Sequence, residues 1–213
     1  CDEFAPDVIL LDDALQFWQL HRDLDIVLLD TARPFDNGQV LPRGLLREPP
    51  SHLSRAGAVV LTRSDRATPE QRQAAEKQVR SLSPNALLLS ATHSPNGWIN
   101  FTGENINNLT GNNLLVFSGI ADGEAFARSL EKQGLVLKTV VNFEDHYAYN
   151  KDGVLALIEA HPSATFITTE KDLVKVAPLW PEDGPPLVAL RIRMAIDRPE
   201  ALTELLNNTL YSL

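Results

Sequence analysis

Four short stretches hold the side chains whose types and spacing could do chemistry. Asp12 and Asp13 directly follow the apolar run Val8-Ile9-Leu10-Leu11. Ligands of open parallel sheets bind beyond the carboxyl ends of the strands. A buried strand ending in two carboxylates is therefore the Walker B arrangement, which holds Mg²⁺ while the metal bridges nucleotide phosphates. A plain strand-to-loop turn with solvated aspartates has the same spacing. The second stretch runs from Asp36-Asn37-Gly38 through Pro42-Arg43-Gly44 to Arg47-Glu48-Pro49-Pro50 and reads as a long structured loop. Between 41 and 66, five arginines face only Glu48 and Asp65. The planar Arg fork suits a phosphorylated substrate or an anionic membrane surface, and a solvated mixed-charge face is the plainer reading. Third, Asp145-His146 lies within Phe143-Glu144-Asp145-His146-Tyr147-Ala148-Tyr149. An Asp beside a His can orient or charge the imidazole for proton transfer, although sequence neighbours often point apart. Fourth, Thr168-Thr169-Glu170-Lys171-Asp172 ends a strand in hydroxyls and alternating charges, which reads as salt-bridged scaffolding.

Elements of two kinds must position these groups. Continuous apolar runs at 8–11, 26–29, 58–61, 86–89, 114–117, 139–141, 165–167 and 187–190 predict strands covered on both faces, as in a parallel sheet. Helical patterns lie between several of them. Thr68-Pro69-Glu70-Gln71 is a capping-box start with Pro at the first helical position. The spacing predicts a second helix over 123–133 with Phe126, Ala127 and Leu130 on one face and Gly134 at its end. Asp197 to Glu200 repeats the capping-box spacing ahead of Leu202, Leu205, Leu206 and Leu210. Strands alternating with helices give an α/β fold class. The Asn-, Gly-, Ser- and Thr-rich stretch after residue 90, with Trp98, Ile99 and Phe101 as a short strand, predicts a join. The expected division is a core lobe over 1–90, a linker over 91–113 and a smaller carboxy-terminal α/β lobe over 114–213.

Composition narrows the function. A formal charge of -9 argues against non-specific nucleic-acid binding. No apolar run approaches the ~20 residues that span a bilayer, and no signal-peptide pattern opens the chain. The single cysteine, Cys1, excludes an internal disulfide and fits a reducing compartment. A start at Cys1 without Met matches a mature lipoprotein formally, but the apolar run at 8–11 follows too soon for a tether, and truncation is the expectation. No G-x-x-x-x-G-K-[ST] loop, G-x-G-x-x-G, metal-spaced Cys/His cluster or G-x-S-x-G elbow occurs. The residues alone thus give an α/β protein with a metal-holding strand end and no phosphate cradle.

Taken in order, these stretches resemble the tetraacyldisaccharide 4'-kinase family. Asp12-Asp13-Ala14-Leu15-Gln16-Phe17 resembles its Asp-Asp-Gly-(Phe/Leu)-Gln-His segment. Arg33-Pro34-Phe35, Asn37-Gly38, Leu41-Pro42, Gly44 and Leu46-Arg47-Glu48-Pro49 follow. Phe117-Ser118-Gly119-Ile120, Asp145-His146 with Tyr149, and Thr168-Thr169-Glu170-Lys171-Asp172 with Lys175 complete the set. Ala14 and Phe17 depart from the usual Gly and His, and Arg43 and Leu45 stand where Ala and Pro are common. The resemblance implies an incomplete P-loop-NTPase-like parallel sheet lobe, a short β linker and a second α/β lobe, with the P-loop ahead of this chain. It implies ATP and Mg²⁺ as cofactors and a lipid A disaccharide precursor as substrate, used at the cytoplasmic face of the bacterial inner membrane. Asp12 and Asp13 become the Mg²⁺ pair, His146 the base or positioner for the 4'-hydroxyl, and Asp145 its orienting partner. Asn37, Gly38, Arg47 and Glu48 become substrate-side residues, while the nucleotide-binding residues are unassigned. The chain alone is then expected to be inactive. A non-catalytic α/β binding or pseudoenzyme domain and another P-loop ATP-dependent enzyme stay open as alternatives, as does the oligomeric state.

Overall fold

The computed structural model describes residues 5–107, 109 and 113–211, which leaves Cys1 and part of the expected linker outside the described residues. Among the described residues eight strands and five α-helices follow one another: β1 (Ile26–Asp30), β2 (Ala58–Thr62), α1 (Pro69–Leu82), β3 (Leu87–Asn100), β4 (Asn105–Ile106), β5 (Leu114–Ser118), α2 (Gly123–Glu131), β6 (Leu137–Asn142), α3 (Lys151–Ala160), β7 (Thr165–Thr169), α4 (Glu170–Val176), β8 (Leu187–Ile196) and α5 (Pro199–Tyr211). The α/β class with mostly parallel strands is what the structure shows.

The chain forms two compact units, Cys1–His93 with Met194–Leu213, and Ser94–Arg193. The expected division at 90 and 113, with everything after 113 in the second lobe, therefore shifts at both places. β3 runs unbroken through residue 90, and the last twenty residues return to the first unit. The cause is apolar burial: Ile196 and Leu202 pack on Val60, Leu89 and Ala91.

In the first unit β1, β2 and β3 are parallel, with Val27 opposite Val59 and Val59 opposite Leu88. Side chains alternate across the sheet, so Val59, Leu61 and Leu88 meet Ala75 and Val79 of α1, while Val60 and Leu89 face the other way. The capping box of α1 is complete: Thr68 Oγ1 accepts from Gln71 N–H and the Gln71 side chain accepts from Thr68 N–H. Asp197, two residues ahead of α5, accepts from Ser90 N–H through its Oδ1 at 3.0 Å.

The run 8–11 is a correction. It is irregular rather than a strand, and Val8, Ile9, Leu10 and Leu11 are exposed. A strand needs ladder partners, and among the described residues none lies beside it. The outer face of β1, through Ile26 and Leu28, is exposed as well.

In the second unit β8, β7, β5 and β6 are parallel in that order. Leu115, Phe117 and Phe166 face α3 and α4, whereas Leu114, Val116 and Ile167 face Phe126 and Leu130 of α2. Gly134 ends the α2 region at φ +88°, where the absence of Cβ matters. Trp98 and Ile99 form the expected short strand, as the far end of β3 paired antiparallel with β4. No helix among the described residues is long and apolar enough to cross a membrane.

Candidate functional site

The first unit holds a groove of about 1000 Å³ whose lining includes Asp12, Asp13, Arg47 and Glu48. Its walls are otherwise largely apolar, among them Val8, Leu10, Leu28 and Leu206. Four of the residues singled out by sequence thus meet in one concavity, although Asp12 and Asp13 end no strand. Asp13 sits at φ 52°, held by Gln16 Nε2, which donates to its carbonyl oxygen at 2.6 Å. The Asp13 carboxylate is ion-paired with Arg47 across 34 positions of sequence, and both side chains are more than half exposed.

Glu48 behaves differently. Its side chain is only 12% exposed, and it accepts from Trp18 Nε1 and Arg55 Nη2 and lies 3.3 Å from His52 Nδ1. Arg55 stacks over the Trp18 ring at 3.8 Å from its centroid, and Trp18 meets His52 edge to face. Glu48 is therefore a brace that fixes the chain on which Arg47 is presented. Sequence spacing does not single out Trp18, His52 and Arg55 as site residues. Arg55 counted only toward local charge, and 37 positions separate it from Trp18 in sequence.

Asn37 and Gly38 are not among the residues lining the groove. Asn37 Nδ2 donates to Arg43 O at 3.1 Å and its Oδ1 accepts from Gln39 N–H at 3.0 Å, which closes the loop on itself. Gly38 adopts φ +73°, and a Cβ on Gly44 would collide with Gln39 O and Asn37 Oδ1. Both residues shape the loop that carries Arg47.

In the second unit Asp145 and His146 follow β6. His146 has φ 61°, and its N–H is shared between Gly119 O at 3.1 Å and Asp145 Oδ1 at 3.0 Å. Its ring is largely exposed, with Nε2 3.8 Å from Asp145 Oδ2, an ion-pair distance rather than a hydrogen bond. Lys171 Nζ lies 3.8 Å from Asp145 Oδ1. Beneath this loop Phe143, Tyr147, Tyr149 and Phe117 pack as a connected aromatic cluster. Burial, and then the Asp172 charge, push the Tyr149 phenol well above its ordinary range.

The stretch at 168–172 is more than scaffolding by surface charge. Asp172 is fully buried, and its Oδ2 accepts from Gly119 N–H at 3.0 Å and Thr169 Oγ1 at 2.8 Å. The Thr-x-x-Asp spacing announces the local cap. The bond to Gly119, 53 residues away, has no local signal.

No group of three or more His, Cys, Asp or Glu side chains among the described residues could hold a metal ion by itself. Adjacent exposed carboxylates do suit Mg²⁺, which takes one or two protein carboxylates and fills its other positions with water and substrate phosphate.

A family model described as Tetraacyldisaccharide-1-P 4'-kinase (LpxK) matches residues 1–211. Among curated proteins, the Tetraacyldisaccharide 4'-kinase of Desulfatibacillum aliphaticivorans is 33% identical over 98% of this chain and 58% of its own length. That of Geobacter metallireducens is 37% identical over 98% of this chain and 60% of its own. A crystal structure of the "apo" form of LpxK from Aquifex aeolicus in complex with ATP matches with a TM-score of 0.65 at 25% identity, over 93% of this chain and 56% of that one. The chain spans well under two thirds of the length of these relatives.

Proposed function

Because the chain belongs to the tetraacyldisaccharide-1-P 4'-kinase family, we propose that its residues serve the ATP-dependent phosphorylation of the 4'-hydroxyl of a tetraacyldisaccharide 1-phosphate, the lipid A precursor. The observation that carries this reading is the family match over residues 1–211. In the reaction the hydroxyl oxygen bonds to the γ-phosphorus, the bond to the β-phosphate oxygen breaks, and the hydroxyl proton departs. Such a transfer depends on positioning and charge neutralisation more than on covalent chemistry.

His146 is the group for that proton: its ring is accessible, and its backbone is pinned by Gly119 and Asp145. Asp145 stands beside the ring, its Oδ2 3.8 Å from Nε2, as the orienting partner. Asp12 and Asp13 are the residues that would hold Mg²⁺, and the ion when bound neutralises phosphate charge. Arg47, now balanced by Asp13, is free to turn its planar fork to substrate phosphate, because their pair is exposed and correspondingly weak. Asn37, Gly38 and Glu48 support the substrate side by fixing the Arg47 loop. The apolar walls of the groove and the arginines between 41 and 66 suit an acylated, anionic substrate at the cytoplasmic face of the bacterial inner membrane.

These 213 residues contain no phosphate-cradling Gly-Lys loop, so the chain by itself is expected neither to bind Mg-ATP usefully nor to transfer phosphate. Calorimetric titration with Mg-ATP, and a transfer assay with labelled ATP and lipid, test this. The same assay on a joined chain, in which the part of the Geobacter metallireducens relative outside the match is fused to this chain, is expected to give 4'-phosphorylated lipid. Transfer by the 213 residues alone would overturn the division of labour. A folded, ATP-binding joined chain that leaves the 4'-hydroxyl untouched would overturn the function.

A further inference from the structure

A buried carboxylate is costly unless its oxygens are hydrogen-bonded, and among the described residues Asp172 has partners for Oδ2 but none for Oδ1. Asp172 lies at the start of α4, with no exposed surface, and is outside the roles assigned above. Its Oδ2 takes Gly119 N–H at 3.0 Å, and the carbonyl of the same glycine takes His146 N–H at 3.1 Å. One residue of backbone therefore links the buried carboxylate to the histidine.

We propose that Asp172 is the positioning residue for His146, acting through Gly119. This rests on the reading of His146 as the group that handles the hydroxyl proton. His146 adopts a left-handed backbone, which a residue with a Cβ holds only when its surroundings enforce it. The Gly119 carbonyl is one of those enforcing contacts, and its place is set by the Asp172 bond. The space at 119 is tight: a Cβ there would stand 3.0 Å from Tyr147 Cβ, 3.2 Å from Tyr149 Oη and 3.3 Å from Asp172 Oδ1, so these neighbours would have to shift. Helix α4 straps the loop at two further points. Lys171 Nζ lies 3.8 Å from Asp145 Oδ1, and Lys175 Nζ donates to Tyr147 O at 3.2 Å. The three contacts come from positions 171, 172 and 175 of one helix, so α4 braces the 145–147 segment at several points.

Amide hydrogen exchange on the 213-residue chain reads this clamp without any kinase activity. Asp172→Asn keeps the side chain's size and loses the charge; exchange at Gly119 and His146 is expected to accelerate about tenfold or more. The amides of Val116 and Ile167, inside β5 and β7, should keep their protection. Gly119→Ala perturbs the clamp from its other side and should loosen His146 in the same local way. Acceleration at His146 no greater than in the strands, in both variants, overturns the proposal. In the joined chain, Asp172→Asn should lower kcat by up to about 10²-fold while leaving the KM for ATP within about twofold. It should add nothing once His146 is alanine. An undiminished Asp172→Asn penalty in the His146→Ala background overturns action through His146. Full turnover of His146→Ala by itself overturns the proton-handling reading, and the exchange data then decide the clamp separately.

Discussion

Asp13 and Asp172 are carboxylates in stretches where the sequence places the end of a strand, yet the structure treats them in opposite ways. Asp13 lies in an irregular segment with its side chain 58% exposed, paired with an equally exposed Arg47. Asp172 is wholly buried and bonded to the backbone of a distant loop. An exposed ion pair is held weakly, so its members can exchange one partner for another, such as a metal or a phosphate. A buried carboxylate with defined donors is committed to architecture. The exposed, exchangeable charge thus lies in the first unit and the buried, architectural one in the second.

The contrast can be broken with substitutions of graded effect. Phe166→Ala removes a fully buried ring of the second unit's core and should cost about 3–5 kcal/mol in denaturant unfolding. Leu10→Ala, at an exposed position of the first unit, should stay within about 0.5 kcal/mol. A cost at Leu10 comparable to that at Phe166 would mean that the run 8–11 is packed in solution. Glu48→Gln weakens its bonds to Arg55 and Trp18 and should cost roughly 1–3 kcal/mol. Arg47→Ala removes only an exposed pair and should cost less than about 1 kcal/mol, shrinking with added salt. If Arg47 proved costlier than Glu48, the roles of brace and ligand contact would be reversed.

Two pH profiles sharpen it further. The Tyr149 phenol is raised above its ordinary 10.0 by burial first and by Asp172 second. Its contribution is therefore complete below about pH 10 and is lost as pH rises further, because the unfolded chain ionises first. Tyr149→Phe should remove this part of the alkaline destabilisation of the second unit. His93 is lowered from 6.5 by burial, then by Arg63 and Arg66, with Asp65 opposing. Its contribution is present above about pH 6.5 and lost as pH falls toward its folded value. His93→Gln should flatten that acid limb in the first unit, and an unchanged limb would locate the titration elsewhere.

Seven of the eight expected strands are present because their apolar runs have partners, and the capping box at Thr68 formed as its spacing required. The run 8–11 misled because apolarity marks what a segment would bury, not whether a neighbour is there to bury it. The bond from Ser90 N–H to Asp197, 107 positions away, has no local signal either. The ordered motifs single out Asp12, Asp13 and Arg47 in the first unit and His146 in the second. They could not separate Glu48, a brace, from Arg47 beside it, because that difference lies in contacts with Trp18 and Arg55. Gly119 and Asp172 stand in two separate motifs of the sequence, and only the fold joins them.

The most direct test is to measure ATP affinity and single-turnover transfer in the joined chain for Asp12→Ala and His146→Ala together. The account predicts that Asp12→Ala weakens Mg-ATP binding as well as transfer. It predicts that His146→Ala slows transfer by about 10²–10⁴-fold with nucleotide binding nearly intact. Full transfer by His146→Ala at saturating substrate would contradict it.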